Sequence, residues 1–212
     1  MKLTVKLFCL FLALPFVMAA QEKSADDFKN EGNEFVRAKD FKSALASYEQ
    51  AITLWGDSLD AATVYAAADC ARRTKQADKA QTFYQKSIEL DYKADFATYY
   101  LSDILKDSGK DAEMEALLVS GLEKYTSGPA ASAMKKTLVG FYLKQGLEPY
   151  NEAGKILATT ATAKPEEYEA ITAKANEKFA EARPFVEKAL ALDGVNENAK
   201  KMMSEIVSRL GK

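Results

Sequence analysis

The residue types that most often do chemistry are scarce in this chain. None of its 212 residues is histidine. That removes Ser-His and Cys-His nucleophiles and imidazole metal ligands. Of two cysteines, Cys9 lies in an apolar amino-terminal run and Cys70 in an alanine-rich stretch. A thiol in such surroundings packs as a small apolar group. The ten glycines stand singly, so no glycine-rich phosphate loop is present. Asp26–Asp27 and Glu166–Glu167 fall at predicted helix starts, where acids complement the helix dipole. As a glycosidase pair they would need a cleft, and nothing in the pattern marks one. What remains is recognition by tyrosine, phenylalanine and arginine at helical spacing, residue types that carry much of the binding energy at interfaces. The expectation is a non-enzymatic protein with no cofactor and no metal.

The elements that would position those side chains are legible in a recurring pattern. In "SALASYEQAITLWG" a small residue, Ala44, precedes Tyr48 by four, and Ala51 follows by three. Ala80, Tyr84 and Ser87 repeat the spacing, Met114, Leu118 and Gly121 form a weaker copy, and Ala182, Val186 and Ala189 a later one. The first three copies start 36 and then 34 residues apart, a period that marks stacked helical hairpins. The 4-then-3 spacing keeps each trio on one helix face. Small residues admit a neighbouring helix and the larger one fills the gap between them. Upstream of each copy lies a partner helix. Phe28, Gly32 and Phe35 share a face in the first. Val64, Ala67, Ala68 and Ala71 do so in the second, and Leu101, Ser102 and Leu105 in the third, with Gly109 in the turn.

These residues resemble the tetratricopeptide repeat. The first repeat matches the family pattern at Phe28, Gly32, Phe35, Ala44, Tyr48 and Ala51, with Gly56 where a proline usually closes. The second matches on its second helix but has Ala68 at the glycine position and Ala71 at the aromatic one. The third is degenerate. The resemblance implies an all-α, right-handed solenoid whose first helices line a concave, peptide-binding side. On that side it places Asp26, Lys29, Asn33, Val36 and Arg37 from repeat one. Repeat two contributes Tyr65, Asp69, Arg72 and Arg73, and repeat three Phe96, Tyr99, Asp103 and Lys106. Some family members clamp a terminal carboxylate with lysine, asparagine and basic residues from successive repeats. Lys29 and Asn33 match the first two positions, but Ala66, Phe96 and Tyr100 occupy the others. Recognition of a carboxyl terminus is therefore not expected.

The fourth repeat is stretched. "KTLVGFYLKQG" reads as its first helix, with Val139, Gly140 and Leu143 in the expected places, but roughly 30 extra residues precede the trio at Ala182. Both helices should continue to a turn near Lys164 and Pro165, projecting roughly 22 Å. Pro149 and Pro184 should kink or break the two arms at similar heights, because proline lacks the amide hydrogen and clashes with the preceding turn. Beyond this elongated hairpin, Ala199, Met202, Met203, Ile206, Val207 and Leu210 form one apolar stripe after the candidate N-cap Asn196. That is the C-terminal capping helix a solenoid needs.

The amino terminus, "MKLTVKLFCLFLALPFVMAA", has two lysines, an apolar run and small residues, the layout of a secretory signal peptide. Its run of about 14 apolar residues is short of the roughly 20 a spanning helix needs, which favours cleavage, after Ala19 or Ala20, over an uncleaved anchor. Removing it takes Lys2 and Lys6, leaving 27 basic against 31 acidic residues, a net charge of −4 rather than −2. Neither nucleic acid nor stable membrane insertion is expected, and Cys70 would have no partner for an intramolecular disulfide. The expected organisation is a signal peptide over 1–20, three helical hairpins over 21–128, an elongated fourth hairpin over 129–193 and a capping helix over 194–212. In its C-terminal layout, where "FAEARPFVEKALALDGVNENA" looks like a closing repeat, the chain resembles secreted tetratricopeptide-repeat proteins of bacterial envelopes. The resemblance implies a periplasmic scaffold that binds another envelope protein or a peptide in its groove. The alternative is a structural subunit that assembles through the long hairpin.

Overall fold

The computed structural model describes residues 22–211; the expected signal peptide lies outside them. Nine α-helices account for the regular structure among these residues: α1 (Ala25–Arg37), α2 (Phe41–Trp55), α3 (Ala61–Arg73), α4 (Ala77–Glu89), α5 (Ala94–Asp107), α6 (Asp111–Lys124), α7 (Pro129–Ala158), α8 (Tyr168–Leu192) and α9 (Glu197–Leu210), with short 3₁₀ turns at Thr159–Ala161 and Pro165–Glu167. Helices adjacent in sequence pack on one another along the whole chain, and α5 also touches α7. The arrangement is an all-α solenoid.

Local chemistry sets the starts of the helices. Ser24 and Asp27 form a reciprocal capping box before α1. Asp40 accepts from Ser43 N–H, Asp60 from Thr63 N–H and Asn196 from Ala199 N–H. Each side chain satisfies a donor that has no partner within its helix. The turns inside the first three hairpins share one geometry. Lys39, Lys75 and Gly109 have φ of 61°, 59° and 72°. The next residue in each, Asp40, Gln76 and Lys110, donates its N–H to Phe35, Ala71 and Leu105 carbonyls at 2.9 Å. This is a left-handed C-terminal stop that closes the last helical turn.

The small–large–small trios are where the solenoid is sealed. Ala44, Ala51, Ala80, Tyr84, Ser87, Met114, Leu118, Ala182, Val186 and Ala189 are all fully buried, and Tyr48 nearly so. Gly32 shows why a small residue is required: a methyl group there would lie 2.5 Å from Tyr48 Cε1.

The fourth hairpin departs from expectation in two respects. First, neither proline breaks its arm: α7 and α8 are continuous through Pro149 and Pro184. Each proline forfeits one backbone hydrogen bond, but each arm is held by its neighbour. Tyr150 meets Phe179 edge-on at 5.6 Å, and Ala153, Ala175 and Phe179 are buried. The register set by Tyr150–Phe179 and by the approach of Gly146 to Phe185 offsets the two prolines by about one helical turn, ~5 Å. Second, Gly140 does not mediate helix packing. It faces open space, whereas Gly146 makes the close approach: a methyl group there would lie 3.3 Å from the Ala182 carbonyl oxygen. The α7–α8 contact follows a long antiparallel seam, which draws the small residue to a different turn. At 30 and 25 residues, against 13–15 for α1 to α6, the pair extends past the other hairpins by about 20 Å.

No helix among the described residues is long and apolar enough to cross a membrane.

Candidate functional site

The candidate residues stand on the first helices α1, α3 and α5. Arg72 over Tyr100 joins α3 to α5, and α5 packs on α7, which makes a wall of these three. Repeats two and three supply its centre. Asp69 receives two guanidinium groups, Arg72 Nη2 at 2.5 Å and Arg73 Nε at 2.6 Å. Arg72 Nε also donates to Tyr84 Oη at 3.1 Å, and its guanidinium lies 4.4 Å from the Tyr100 ring centroid. One side chain of α3 thereby fastens α4 and α5. Around it the rings form a continuous cluster. Tyr84 stacks on Tyr100 at 5.7 Å and meets Tyr65 edge-on at 5.9 Å; Tyr65 meets Tyr92 at 6.1 Å; Phe96 and Tyr99 lie 6.4 and 5.3 Å from Tyr100. Tyr65 and Tyr99 are part-buried rather than turned fully inward.

The electrostatics follow from burial and pairing. Burial pushes the Tyr65 phenol up to about 12 and the Cys70 thiol up to about 11, so that thiol stays protonated and inert at neutral pH. Burial raises Asp69, but hydrogen bonds from Arg73 and Arg72 outweigh it and hold the carboxyl below its ordinary value. Asp103 answers oppositely. Burial raises it and prevails over the hydrogen bond from Tyr99 and the nearby Lys106.

Along α5 and α7 the wall opens into a cleft of about 770 Å³. Tyr99, Asp103 and Lys106 form one side, and Lys136, Thr137, Gly140 and Phe141 the other. The open face of Gly140 is thus part of this surface.

Repeat one joins the wall less fully. Lys29 pairs with Asp60 at 3.1 Å. Asn33 Oδ1 accepts from Tyr48 Oη at 2.8 Å, tying α1 to α2. Val36 packs partly against the core, Asp26 is exposed, and Arg37 is exposed beside Glu34 at 3.7 Å. The family pattern led to Tyr65, Asp69, Arg72, Phe96 and Tyr99. It passed over Tyr92 and Lys93, in the loop between α4 and α5, although Lys93 Nζ sits 4.9 Å from the Tyr65 centroid and 5.8 Å from that of Tyr92. The only signal for them was an aromatic–basic pair immediately before a helix.

Residues 61–93, which include α3 and α4, match the family model for the tetratricopeptide repeat. No curated protein matches the chain in sequence. Among solved structures, a TPR repeats protein from Bacteroides fragilis is similar at 21% identity and a TM-score of 0.60, over 87% of this chain and 98% of that one. A Bacteroides ovatus protein is similar at 14% identity and a TM-score of 0.49, over 88% and 98%. YrrB, a TPR protein with an unusual peptide-binding site, is similar at 17% identity and a TM-score of 0.45, over 85% and 92%. The first of these, together with the matched repeat, assigns the fold.

Proposed function

We propose that this chain, an all-α solenoid with one matched tetratricopeptide repeat, is a non-catalytic adaptor of the bacterial cell envelope, holding another envelope protein, or an extended segment of one, against its wall of first helices. One observation carries the reading. Tyr65, Asp69 and Arg72 of α3 and Phe96, Tyr99 and Tyr100 of α5 form a single surface of rings and charges. Rigid aromatic and arginine side chains in one patch supply contact area at low entropic cost, which suits protein recognition. The compartment rests on the signal-peptide layout of residues 1–20.

The test is site-specific photocrosslinking in intact cells from position 99, with Ser120 on the exposed side of α6 as control. The adaptor reading expects a discrete protein adduct from position 99 that is absent from position 120. Identical patterns from both positions would refute it.

A second reading, a structural subunit that assembles through the α7–α8 hairpin, is favoured by the end of that hairpin. From 154 to 174 no residue is buried, so its projecting surface is open to a partner. It expects complex formation to survive charge reversal at Arg72 and Arg73.

A further inference from the structure

Several rings in and beside the wall, though not Phe96 or Tyr99, are already covered by the chain's own cations. Arg72 lies over Tyr100 at 4.4 Å, Arg73 over Phe41 at 4.8 Å, and Lys93 over Tyr65 and Tyr92 at 4.9 and 5.8 Å. A partner's lysine or arginine would have to displace one of these groups to reach a ring, since each face holds one cation at close range. What the wall presents outward is the other side of those cations. Their donors exceed the acceptors that take hydrogen bonds from them, although Asp103 lies near Arg72 and Asp95 near Tyr65. Asp69 takes one nitrogen from each arginine, and the remaining guanidinium N–H groups, apart from Arg72 Nε on Tyr84, have no protein acceptor among the described residues. Lys93 is exposed and has no ion-pair partner among them. Arginine forks and lysine heads with open donors match carboxylates. The α5–α7 cleft is different: Asp103, Asp107 and Asp111 stand beside Lys106, Lys136 and Lys144, so it carries no excess of either sign.

We propose that the segment held on this wall is acidic, with one carboxylate on Arg72 and Arg73 and a second on Lys93. The proposal rests on the groove reading above and names its partner's chemistry. Tyr65, beneath Lys93, and Arg72 are seven residues apart on α3, about 10 Å along the helix. An extended chain covers that in about three residues. The cations already stacked on rings need little ordering when the partner arrives, which lowers the entropic cost of binding.

The experiment selects peptides of about ten random residues, displayed as a library, on the purified protein, on an Arg73→Glu/Lys93→Glu variant and on a Tyr99→Asp variant. The milder Arg73→Gln/Lys93→Gln variant is run alongside, and thermal unfolding verifies that each is folded. The expected result is enrichment of Asp or Glu pairs about three residues apart. Both Arg73/Lys93 variants should lose it at least tenfold, and so should the native protein in about 0.5 M salt, where such attractions are screened. Enrichment of Lys or Arg, or selection indifferent to charge but abolished by Tyr99→Asp, would overturn the acidic partner and leave the groove reading standing. No selection at all, or selection that survives every variant, would overturn both.

Discussion

Asp69 and Asp103 occupy equivalent places in successive repeats, 34 residues apart on α3 and α5, yet they respond to pH in opposite senses. Asp69 is ionised below the ordinary carboxyl range because two arginines hydrogen-bond it. Its folded pKa is depressed, so its contribution to stability is complete above the unfolded value, about 4, and is lost as pH falls through the folded one. Asp103 is raised by burial that its neighbours do not offset. Its ionised form therefore opposes folding at neutral pH, and that opposition vanishes on acidification. Asp69→Ala should lower stability by about 2 kcal/mol at neutral pH, and the loss should shrink as pH falls below about 4. Asp103→Asn should raise the unfolding midpoint at neutral pH and leave it unchanged at about pH 3. Urea denaturation at both pH values measures each effect. A stabilised Asp69→Ala would refute the arginine pairing of Asp69, and a destabilised Asp103→Asn at neutral pH would refute the unfavourable burial of Asp103.

The recurring element is the helical hairpin, and its turns show how much sequence variation one geometry accepts. Gly109 meets the left-handed turn position without steric conflict, but Lys39 and Lys75 hold the same conformation with a Cβ, at a cost of about 1 kcal/mol each. Lys75→Gly should therefore stabilise the protein by up to about 1 kcal/mol, and Gly109→Ala should destabilise it by a similar amount, read from thermal unfolding. The turn at Lys75 was not marked by glycine, so a search for glycine or proline punctuation finds the third turn and misses the first two. The prolines in α7 and α8 illustrate the converse. Their local effect is to interrupt a helix, and the paired arm, through Tyr150, Ala153, Ala175 and Phe179, keeps both helices continuous.

At the scale of the whole molecule, a solenoid holds together through contacts between neighbours, so a projecting part can be removed without loss of the remainder. Replacing residues 154–174 by a short loop joining Ala153 to Ala175 should lower helical circular dichroism while leaving the main unfolding transition within a few degrees. No residue in that stretch is buried, whereas both flanking alanines are. If the same deletion abolished capture of a partner, the structural-subunit reading would gain over the groove. Much of this architecture was legible in the order of the residues. The trios at Ala44, Ala80, Met114 and Ala182 specified the buried seams, because a face that recurs every three or four residues must be covered by something and small side chains state how closely. The absence of histidine was equally legible, and it removes imidazole chemistry for the same local reason: residue type limits what a side chain can do wherever it lies. Position in space was decided otherwise. That Arg72 closes over Tyr100, that Lys93 covers Tyr65 and Tyr92, that Asn33 turns to Tyr48, and that Gly146 rather than Gly140 meets α8 all depend on which neighbour arrives beside each residue. Apart from Lys93 on its neighbour Tyr92, those encounters join side chains from different elements, and only the packed chain brings them within contact distance.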